Sequence, residues 1–216
     1  SPGLTMDARS EMPVVGCQHP STSSGWWEPR NSGRSGLEDM YSAMAVSSNV
    51  YHALLIAEVT PAAVAEMAAR LGVSVPESDV VCPLALGATD TTPLAMANGF
   101  ATMANRGERC DPFPITRIED SHGRILWEHS PNCEQVLDPE IADRLVDILE
   151  GPVRGPGATA TVANLDGYPT RGKTGTTSDF VDAWFVGFVK QLSTAAWVGY
   201  ENGNHYYVDN EAAQAA

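Results

Sequence analysis

The order of the predicted elements, with helices first and strands last, constrains the fold of this chain more than any other feature. Three strand-like segments separated by short turns lie near the end of the sequence, at Thr170–Thr176, Asp182–Val189 and Ser193–Gly199. Connections this short join antiparallel neighbours. Because helical spacing dominates most of the preceding sequence, we predict an α+β domain in which helices flank one antiparallel sheet.

Three of the predicted helices begin with a capping residue followed by proline, at Thr60-Pro61, Thr92-Pro93 and Asp138-Pro139. They end close to glycines, at Gly72, Gly107 and Gly151. The second of these helices is apolar nearly all round, so we expect it to be buried. A fourth helical stretch, Leu37 to about Val59, is interrupted near Ser47-Ser48-Asn49.

The remaining segments divide the single domain expected over residues 1–216. Residues 1–36 are rich in Ser, Gly and Pro and predict a loop-rich entry, followed by a helical region over 37–110. Residues 111–137 predict a hairpin insertion, with strands at Ile115–Asp120 and Arg124–Glu128 around a turn. Residues 138–216 predict a helix, a Pro/Gly-rich loop over 151–157, the strands and the beginning of a last helix at 211–216.

The charge balance excludes several function classes. The 216 residues carry 27 acidic and 13 basic side chains, a formal net charge of -14, and the only lysines are Lys173 and Lys190. Nucleic acid is therefore an unfavourable partner, and an anionic lipid surface is no better. No run approaches the roughly 18 apolar residues of a spanning helix, and the first residues do not resemble a signal peptide. Any signal or anchor is expected upstream or already removed.

The four cysteines lack the spacing of a zinc site, because no pair is arranged as CxxC and no histidine pair lies nearby. We predict no metal, and disulfides or unpaired core thiols remain as alternatives. In an exported chain pairing is expected. Cys110 with Cys133 is the best pair because the two flank the predicted hairpin, and Cys17 and Cys82 are the other disulfide candidates.

Lys173-Thr174-Gly175-Thr176-Thr177 opens the run of strands. A lysine, small hydroxyls and a glycine at a sheet edge can bind an extended peptide as an added strand and meet its terminal carboxylate. The alternative is an ordinary polar strand start. Ser47-Ser48-Asn49 lies between helical stretches, where a hydroxyl and a carboxamide can point into a cleft, or can serve only as a helix cap. Trp27 and its neighbour Trp26 either line a substrate groove or pack the loop onto the domain.

The five histidines are scattered without a defensible Ser-His-Asp order, which argues against a triad hydrolase. A different signature fits better. Ser-x-x-Lys, Ser-Asp-Asn and Lys-Thr-Gly elements mark β-lactamases and penicillin-binding proteins. This chain has the second element as Ser47-Ser48-Asn49 and the third intact at Lys173-Thr174-Gly175.

With these motifs the sequence resembles the transpeptidase domain of class A penicillin-binding proteins, from about Trp27 to Tyr200. The resemblance extends to segments in the family's order and spacing: Trp27-Glu28-Pro29-Arg30-Asn31, Leu86-Gly87, Thr92 to Ala97, Ala104-Asn105-Arg106-Gly107, Gly155 to Ala160 and Asp182 to Gly187. The cysteine placement resembles actinobacterial members. The resemblance implies the penicillin-binding protein and serine β-lactamase-like fold.

The resemblance also implies a D-alanyl-D-alanine transpeptidase of peptidoglycan cross-linking, with an acyl-enzyme and no cofactor. Ser47 and Lys173 would relay protons, and Asn49 would contact the amide of the acyl side. The hydroxyls of Thr174 and Thr176 would hold the terminal carboxylate beside Gly175 and Thr177, and the Thr176 N–H would contribute to the oxyanion hole. Stem peptides and β-lactams are the implied ligands.

One element is missing, because no serine in the chain precedes a lysine by three positions. In the family this nucleophile lies further upstream of the Ser-x-Asn element than the 46 residues available here, so truncation or cleavage is expected, or a companion chain that carries it. The implied parent is membrane-anchored, extracytoplasmic and fused to a glycosyltransferase domain. A catalytically silent penicillin sensor or scaffold remains an alternative, and a β-lactamase is a weaker one.

Overall fold

A computed structural model describes residues 1–177, 180–200 and 208. Within these residues six α-helices are formed: α1 Met40–Ala45, α2 Asn49–Val59, α3 Pro61–Arg70, α4 Pro93–Ala104, α5 Pro139–Ile148 and α6 Gly151–Arg154. The helix predicted at 211–216 lies outside the described residues.

Local capping explains where most of the helices begin. The hydroxyls of Thr60 and Thr92 accept from Ala63 N–H and Ala95 N–H, and a proline occupies the first turn of each helix. Asp138 caps α5 in the same way. The three helix starts predicted from capping residues and prolines are therefore confirmed.

The break between α1 and α2 is also confirmed, although the stretch from Leu37 does not begin as a helix. Residues Gly36–Glu38 form a short strand, and Asp39 then caps α1 through a reciprocal pair of hydrogen bonds with Ser42. Ser48 caps α2 and accepts from Tyr51 N–H. Two short helices with separate caps therefore enclose the Ser47 turn.

The predicted strands near the end of the chain form a three-stranded antiparallel sheet of β9 Arg171–Thr176, β10 Ala183–Val189 and β11 Leu192–Val198. The order is β11-β10-β9, so within the described residues β9 and β11 are the two edge strands. Lys173 pairs with Val186, and Trp184 pairs with both Gly175 and Trp197.

Helix α4 lies across this sheet. The rings of Phe100 and Phe188 meet edge to face with their centroids 6.4 Å apart, and Ser193 Oγ donates to Ala97 O at 2.8 Å. The expectation of a buried helix was too strong, since the side chain of Leu94 is 63% exposed. An apolar surface all round therefore does not mean that every side of the helix is covered.

The first 36 residues are more regular than their composition predicted. They contribute β1 Met6–Ala8, β2 Val14–Gln18 and β3 Trp26–Trp27, and β4 Gly36–Glu38 follows directly. Strand β1 pairs with β4, and β2 pairs with β3 across a shift in register. These pairings are antiparallel and too short to give a periodic pattern in the sequence.

Two clusters of buried side chains hold this region to the helices. One consists of Val14, Cys17, Ala53, Ile56, Cys82 and Leu84. The other consists of Ala8, Ala43, Val50 and Tyr51. A disulfide between Cys17 and Cys82 lies within the first cluster and joins β2 to a 3-10 turn at Cys82–Leu86.

A β-hairpin forms where the turn residues Ser121-His122-Gly123 predicted one. Strands β6 Arg117–Glu119 and β7 Ile125–Glu128 are antiparallel, and β5 Glu108–Cys110 pairs with β8 Cys133–Gln135 at its base. Cys110 and Cys133 are opposite one another in that register and are joined in a disulfide. The insertion is thus fastened to the domain at its base.

The segment predicted as a Pro/Gly-rich loop over 151–157 begins instead with the helix α6. Pro152 occupies the first turn, where its missing N–H is tolerated. A Cβ at Gly151 would lie 3.2 Å from the Ala45 Cβ. Glycine therefore allows α6 to approach α1 closely, which explains its use inside a helix.

Among the described residues no single helix is long and apolar enough to cross a bilayer, whereas α2 and α3 reach that length and composition only together, across a bend of 95°.

Candidate functional site

The Ser47 turn is the first part of the site. Ser47 follows α1 directly and has a φ of 56°, a left-handed conformation that residues with a side chain seldom adopt. The Ser48 cap holds the start of the next helix, and the Asn31 carboxamide oxygen accepts from Val50 N–H at 2.9 Å. Strained backbone of this kind often lies at functional sites.

Asn49 is turned toward the loop that precedes the helices. Its Nδ2 donates to Arg30 O at 2.7 Å. Together with the contact of Asn31, this hydrogen bond fixes the Trp27-Glu28-Pro29-Arg30-Asn31 loop against the first turn of α2. The predicted contact of Asn49 with the acyl side of a substrate remains a prediction.

Lys173 links the sheet to the Ser47 turn by a hydrogen bond. Its Nζ donates to Ser47 Oγ at 2.6 Å and to Thr174 O at 2.8 Å. Burial lowers the pKa of Lys173 from 10.5 to about 8, because the charged ammonium loses water when it is enclosed. The two residues predicted to relay protons are therefore in direct contact.

His52 is a member of this group that the sequence analysis did not single out. Its Nδ1 lies 2.7 Å from Ser48 O, and since a carbonyl can only accept, Nδ1 carries the hydrogen. Burial lowers the pKa of His52; the hydrogen bond to Ser48 opposes this shift, and the charge of Lys173 adds to it. A histidine four positions after a helix cap, on the same helical face, is the signal that could have identified it.

The free edge of β9 is the second part of the site. Thr177 N–H donates to Asp182 O across the β9–β10 pair, whereas Gly172 N–H donates away from the sheet to Leu149 O, both at 3.1 Å. Because the direction of backbone groups alternates along a strand, the N–H of Thr176 points the same way as that of Gly172, away from β10. The predicted oxyanion-hole donor thus faces the open edge.

The hydroxyls proposed to bind a carboxylate lie along the same strand. Side chains of Thr174 and Thr176 share one side of β9, because side-chain direction alternates with every residue. The Oγ1 atoms of Thr174 and Thr159 are 3.0 Å apart. Gly175 faces Trp184, whose Cβ would be 3.3 Å from a Cβ at this position, so a side chain here would crowd the neighbouring strand.

Trp27 packs against the cluster that contains the Cys17–Cys82 disulfide. This is the alternative that the sequence left open, in which the tryptophan fastens the loop to the domain. Its place in a substrate groove remains a prediction.

Potential metal ligands come together once within the described residues, at Glu108, Cys110 and Cys133. Both cysteines are in the disulfide, so neither offers a thiolate.

Within the part of the chain that the structure describes, an edge of the sheet therefore lies beside a hydrogen-bonded lysine–serine pair. The sequence matches the family model of the penicillin binding protein transpeptidase domain over residues 14–216. The chain therefore belongs to the penicillin-binding protein transpeptidase domain family, which confirms the resemblance and the predicted fold class.

Curated relatives in this family are named penicillin-binding protein 1A. The chain is 34% identical to the protein of Neisseria flavescens over 182 residues, which is 81% of this chain and 23% of that protein. It is 43% identical to the protein of Aquifex aeolicus over 118 residues, 55% of this chain and 16% of the relative. The chain thus spans less than a quarter of these relatives.

Solved structures of the family share this fold. Penicillin-binding protein 1A from Haemophilus influenzae superimposes with a TM-score of 0.84 at 22% identity, over 99% of this chain and 37% of that one. PonA1 from Mycobacterium tuberculosis, solved in complex with penicillin V, superimposes with a TM-score of 0.77 at 27% identity. The match covers 99% of this chain and 58% of that one. The actinobacterial likeness of the cysteine placement remains a prediction.

Proposed function

We propose that this chain is the substrate-binding and proton-relay side of a D-alanyl-D-alanine transpeptidase that cross-links peptidoglycan through an acyl-enzyme. The observation that carries the proposal is the 2.6 Å hydrogen bond from Lys173 Nζ to Ser47 Oγ, beside the free edge of β9. Membership in the transpeptidase family supports the reaction class.

The substrate would bind as an additional strand along β9. An extended stem peptide can pair with the outward-facing backbone groups of this edge, and the hydroxyls of Thr174 and Thr176 would hold its terminal carboxylate. The ammonium of Lys173 adds a positive potential near that carboxylate. Asn49 would contact the amide on the acyl side if its hydrogen bond to Arg30 O is exchanged on binding.

The reaction requires a serine that this chain does not contain. Its Oγ would attack the carbonyl of the penultimate D-alanine while its proton passes to the lysine of the same Ser-x-x-Lys element, and the resulting oxyanion would accept from Thr176 N–H and from the N–H of that serine. A donor of this kind is typically worth about 3 kcal/mol in the transition state. The substrate strand would place the carbonyl at this edge.

Collapse of the tetrahedral intermediate breaks the bond to the terminal D-alanine. The leaving nitrogen would take a proton from Ser47 Oγ, which is replenished from the Lys173 ammonium. An acceptor amine then attacks the acyl-enzyme and its proton returns through Ser47 to Lys173, while the released serine oxygen regains its own proton from the lysine of the Ser-x-x-Lys element. With a pKa of about 8, Lys173 can both give up and regain a proton near neutral pH.

We further propose that the intact parent is extracytoplasmic, anchored in the membrane and fused to a glycosyltransferase domain. Similarity to proteins named penicillin-binding protein 1A supports this proposal. Penicillins would acylate the same serine, which the complex of the M. tuberculosis relative with penicillin V makes a reasonable expectation.

The test is covalent labelling of the intact parent by a fluorescent penicillin. We expect labelling of the wild type, and labelling slowed about 100-fold or more in Lys173→Ala, because the relay and its charge are lost. Lys190→Ala is the matched control, since Lys190 is the only other lysine and is exposed. A folded parent that takes no label would refute the proposal, and this chain alone should take none.

A second candidate is a penicillin-recognising sensor or scaffold. It is favoured by one observation, the lack of any Ser-x-x-Lys element in this chain. This candidate predicts reversible binding of penicillin to the parent, with neither a covalent label nor release of D-alanine from a stem peptide. A β-lactamase would instead take the label and lose it rapidly by hydrolysis.

A further inference from the structure

Asp182 ties together the ends of all three strands of the sheet. Its Oδ1 accepts from Trp197 Nε1 at 2.8 Å, and its Oδ2 accepts from the hydroxyl of Thr177 at 3.4 Å. Its backbone N–H donates to Thr177 Oγ1 at 2.8 Å, and its carbonyl accepts from Thr177 N–H. One residue that directly precedes β10 therefore binds the end of β9 on one side and the end of β11 on the other.

The surrounding packing leaves this arrangement little freedom. A Cβ at Gly199 would lie 2.6 Å from Asp182 Oδ1 and 2.6 Å from Trp197 Cζ2. The Trp197 ring also lies opposite that of Trp184, with centroids 6.3 Å apart. The indole is thereby held where its N–H meets the carboxylate.

The position of this group matters because it adjoins Thr176. The outward-facing N–H of Thr176, the last residue of β9, lies between that of Gly175, which is opposite Trp184, and that of Thr177, which directly follows the strand and donates to Asp182 O. Within the described residues β9 is an edge strand whose one paired neighbour is β10, so near Thr176 its alignment depends on these contacts with β10. The contacts of Asp182 with Thr177 follow directly after Thr176, the last residue of the strand.

We propose that Asp182 is a positioning residue for the transpeptidase site, acting through Thr177 and Trp197 to fix the direction of the Thr176 N–H. In this role Asp182 would act through its neighbours and not by contact with the substrate. The inference rests on the proposed function, since it assigns a support to the oxyanion donor of that reaction.

The reaction step that depends on this support is acylation and not the initial binding of penicillin. An oxyanion donor displaced by a fraction of an ångström loses transition-state stabilisation, whereas the carboxylate contacts of the bound ligand remain. Removing an oxyanion-hole donor entirely lowers kcat by about 100-fold to 1000-fold. Loosening its support should therefore lower the acylation rate constant by about tenfold or more, with the dissociation constant of the non-covalent complex within about twofold.

The experiment uses three variants of the intact parent and rapid-mixing kinetics with a penicillin over a range of concentrations. Asp182→Ala removes both carboxylate contacts and should show the full loss. Asp182→Asn retains an oxygen that accepts from Trp197 Nε1 and should recover most of the rate. Trp197→Phe keeps a ring opposite Trp184 but removes the donor, so its rate should fall between those of the two Asp182 variants.

Two variants serve as matched controls. Asp143→Ala removes an exposed carboxylate of α5 that pairs with Arg106, and Trp127→Phe replaces a tryptophan of the hairpin insertion. Both should acylate like the wild type. Thermal unfolding shows which variants are folded, and if Asp182→Ala is not, the comparison of Asp182→Asn with Trp197→Phe carries the test.

The outcomes separate this inference from the proposed function. A wild-type parent without a covalent label overturns both. A labelled wild type whose Asp182→Ala and Trp197→Phe variants acylate at the wild-type rate overturns only the positioning role. A loss confined to the dissociation constant also overturns it, because it would place Asp182 in substrate binding instead.

Discussion

Ser47 and Lys173 are 126 residues apart in the chain, and the Nζ of the lysine donates to the Oγ of the serine at 2.6 Å. The serine is held in a left-handed turn between two short helices, and the lysine lies on β9, an edge strand of the sheet within the described residues. Neither residue can reach the other unless the helical part and the sheet are packed together. The contact therefore depends on the tertiary fold, and it ties the chemistry of the site to the integrity of the domain.

The backbone of Ser47 leads to a first prediction. At a φ of 56° a residue with a Cβ is strained, so Ser47→Gly should be more stable than Ser47→Ala by about 1 kcal/mol. Both variants lack the hydroxyl, and acylation of the intact parent should be equally slow in both. Urea unfolding measures the difference in stability.

The control is the same pair of substitutions at Ser42, inside α1, where glycine should be the less stable variant by about 1 kcal/mol. An equal stability of Ser47→Gly and Ser47→Ala would contradict the strained turn.

The lowered pKa of Lys173 predicts the pH dependence of acylation. The ammonium is the group that donates to Ser47, and its population falls as the pH rises through about 8. The acylation rate constant of the intact parent should therefore decline above pH 8. In Lys173→Arg the guanidinium keeps its charge, so a slower reaction without this decline is expected. A wild-type rate that stays level up to pH 9.5 would argue against the donor role.

Lys173 should make the stability of the chain depend on pH in the opposite direction: a higher pH slows acylation but stabilises the folded state. Lys173 has a pKa of about 8 when folded and about 10.5 when exposed to water, so between these values the unfolded chain binds more protons. The free energy of unfolding should therefore rise as the pH increases from about 8 toward 10.5. It should fall as the pH decreases over the same range, because the buried lysine must then carry its charge. Urea unfolding of this chain from pH 7.5 to 9.5 should show this slope.

Lys173→Met should remove that part of the slope, whereas Lys190→Met should leave it in place because Lys190 is exposed. Identical pH dependence in the two variants would show that Lys173 keeps an ordinary pKa.

The two disulfides should contribute unequally to stability. Cys17 and Cys82 are separated by 65 residues, and Cys110 and Cys133 by 23. Loop-closure entropy predicts losses of about 4 kcal/mol and about 3 kcal/mol when each pair is replaced by alanine. Burial of the first pair among core side chains adds to the difference. Peptide mapping without reductant tests the pairing, and the reverse order of stability in urea unfolding would count against this account.

Glu38 is an unusual buried acidic side chain. Its side chain is 2% exposed, and neither carboxylate oxygen has a hydrogen-bond partner within the described part of the chain. Burying such a group is costly, so Glu38→Met should raise the free energy of unfolding by about 1 to 3 kcal/mol. Asp39→Ala, which removes the adjacent helix cap, should lower it by about 1 kcal/mol. A destabilised Glu38→Met would contradict this account.

Elements with local signals were predictable from the sequence. The caps at Thr60, Thr92 and Asp138 and the hairpin turn depend on neighbouring residues only, and the structure has them where the sequence places them. The order of sites along the chain was also enough to identify the family, since the Ser-x-Asn turn and the Lys-Thr-Gly strand occur at characteristic positions.

What could not be predicted depends on residues far apart in sequence. The short strands before Asp39 pair across loops and are too brief to show alternation. Nothing in the spacing of Cys17 and Cys82 indicates that they meet. Helix α6 was predicted as a loop because it begins with glycine and proline. The glycine is explained only by the close approach of Ala45, which the sequence does not show. The role inferred for Asp182 likewise requires the register of three strands.

The open edge of β9 has a consequence for any preparation of this chain. Outward-facing amides that suit an extended peptide suit equally well the strand of another copy, and natural sheets are normally protected against such pairing. At high protein concentration the chain should therefore self-associate through this edge. A substrate-like peptide would then act as a solubilising agent, because it occupies the surface through which the copies would otherwise meet.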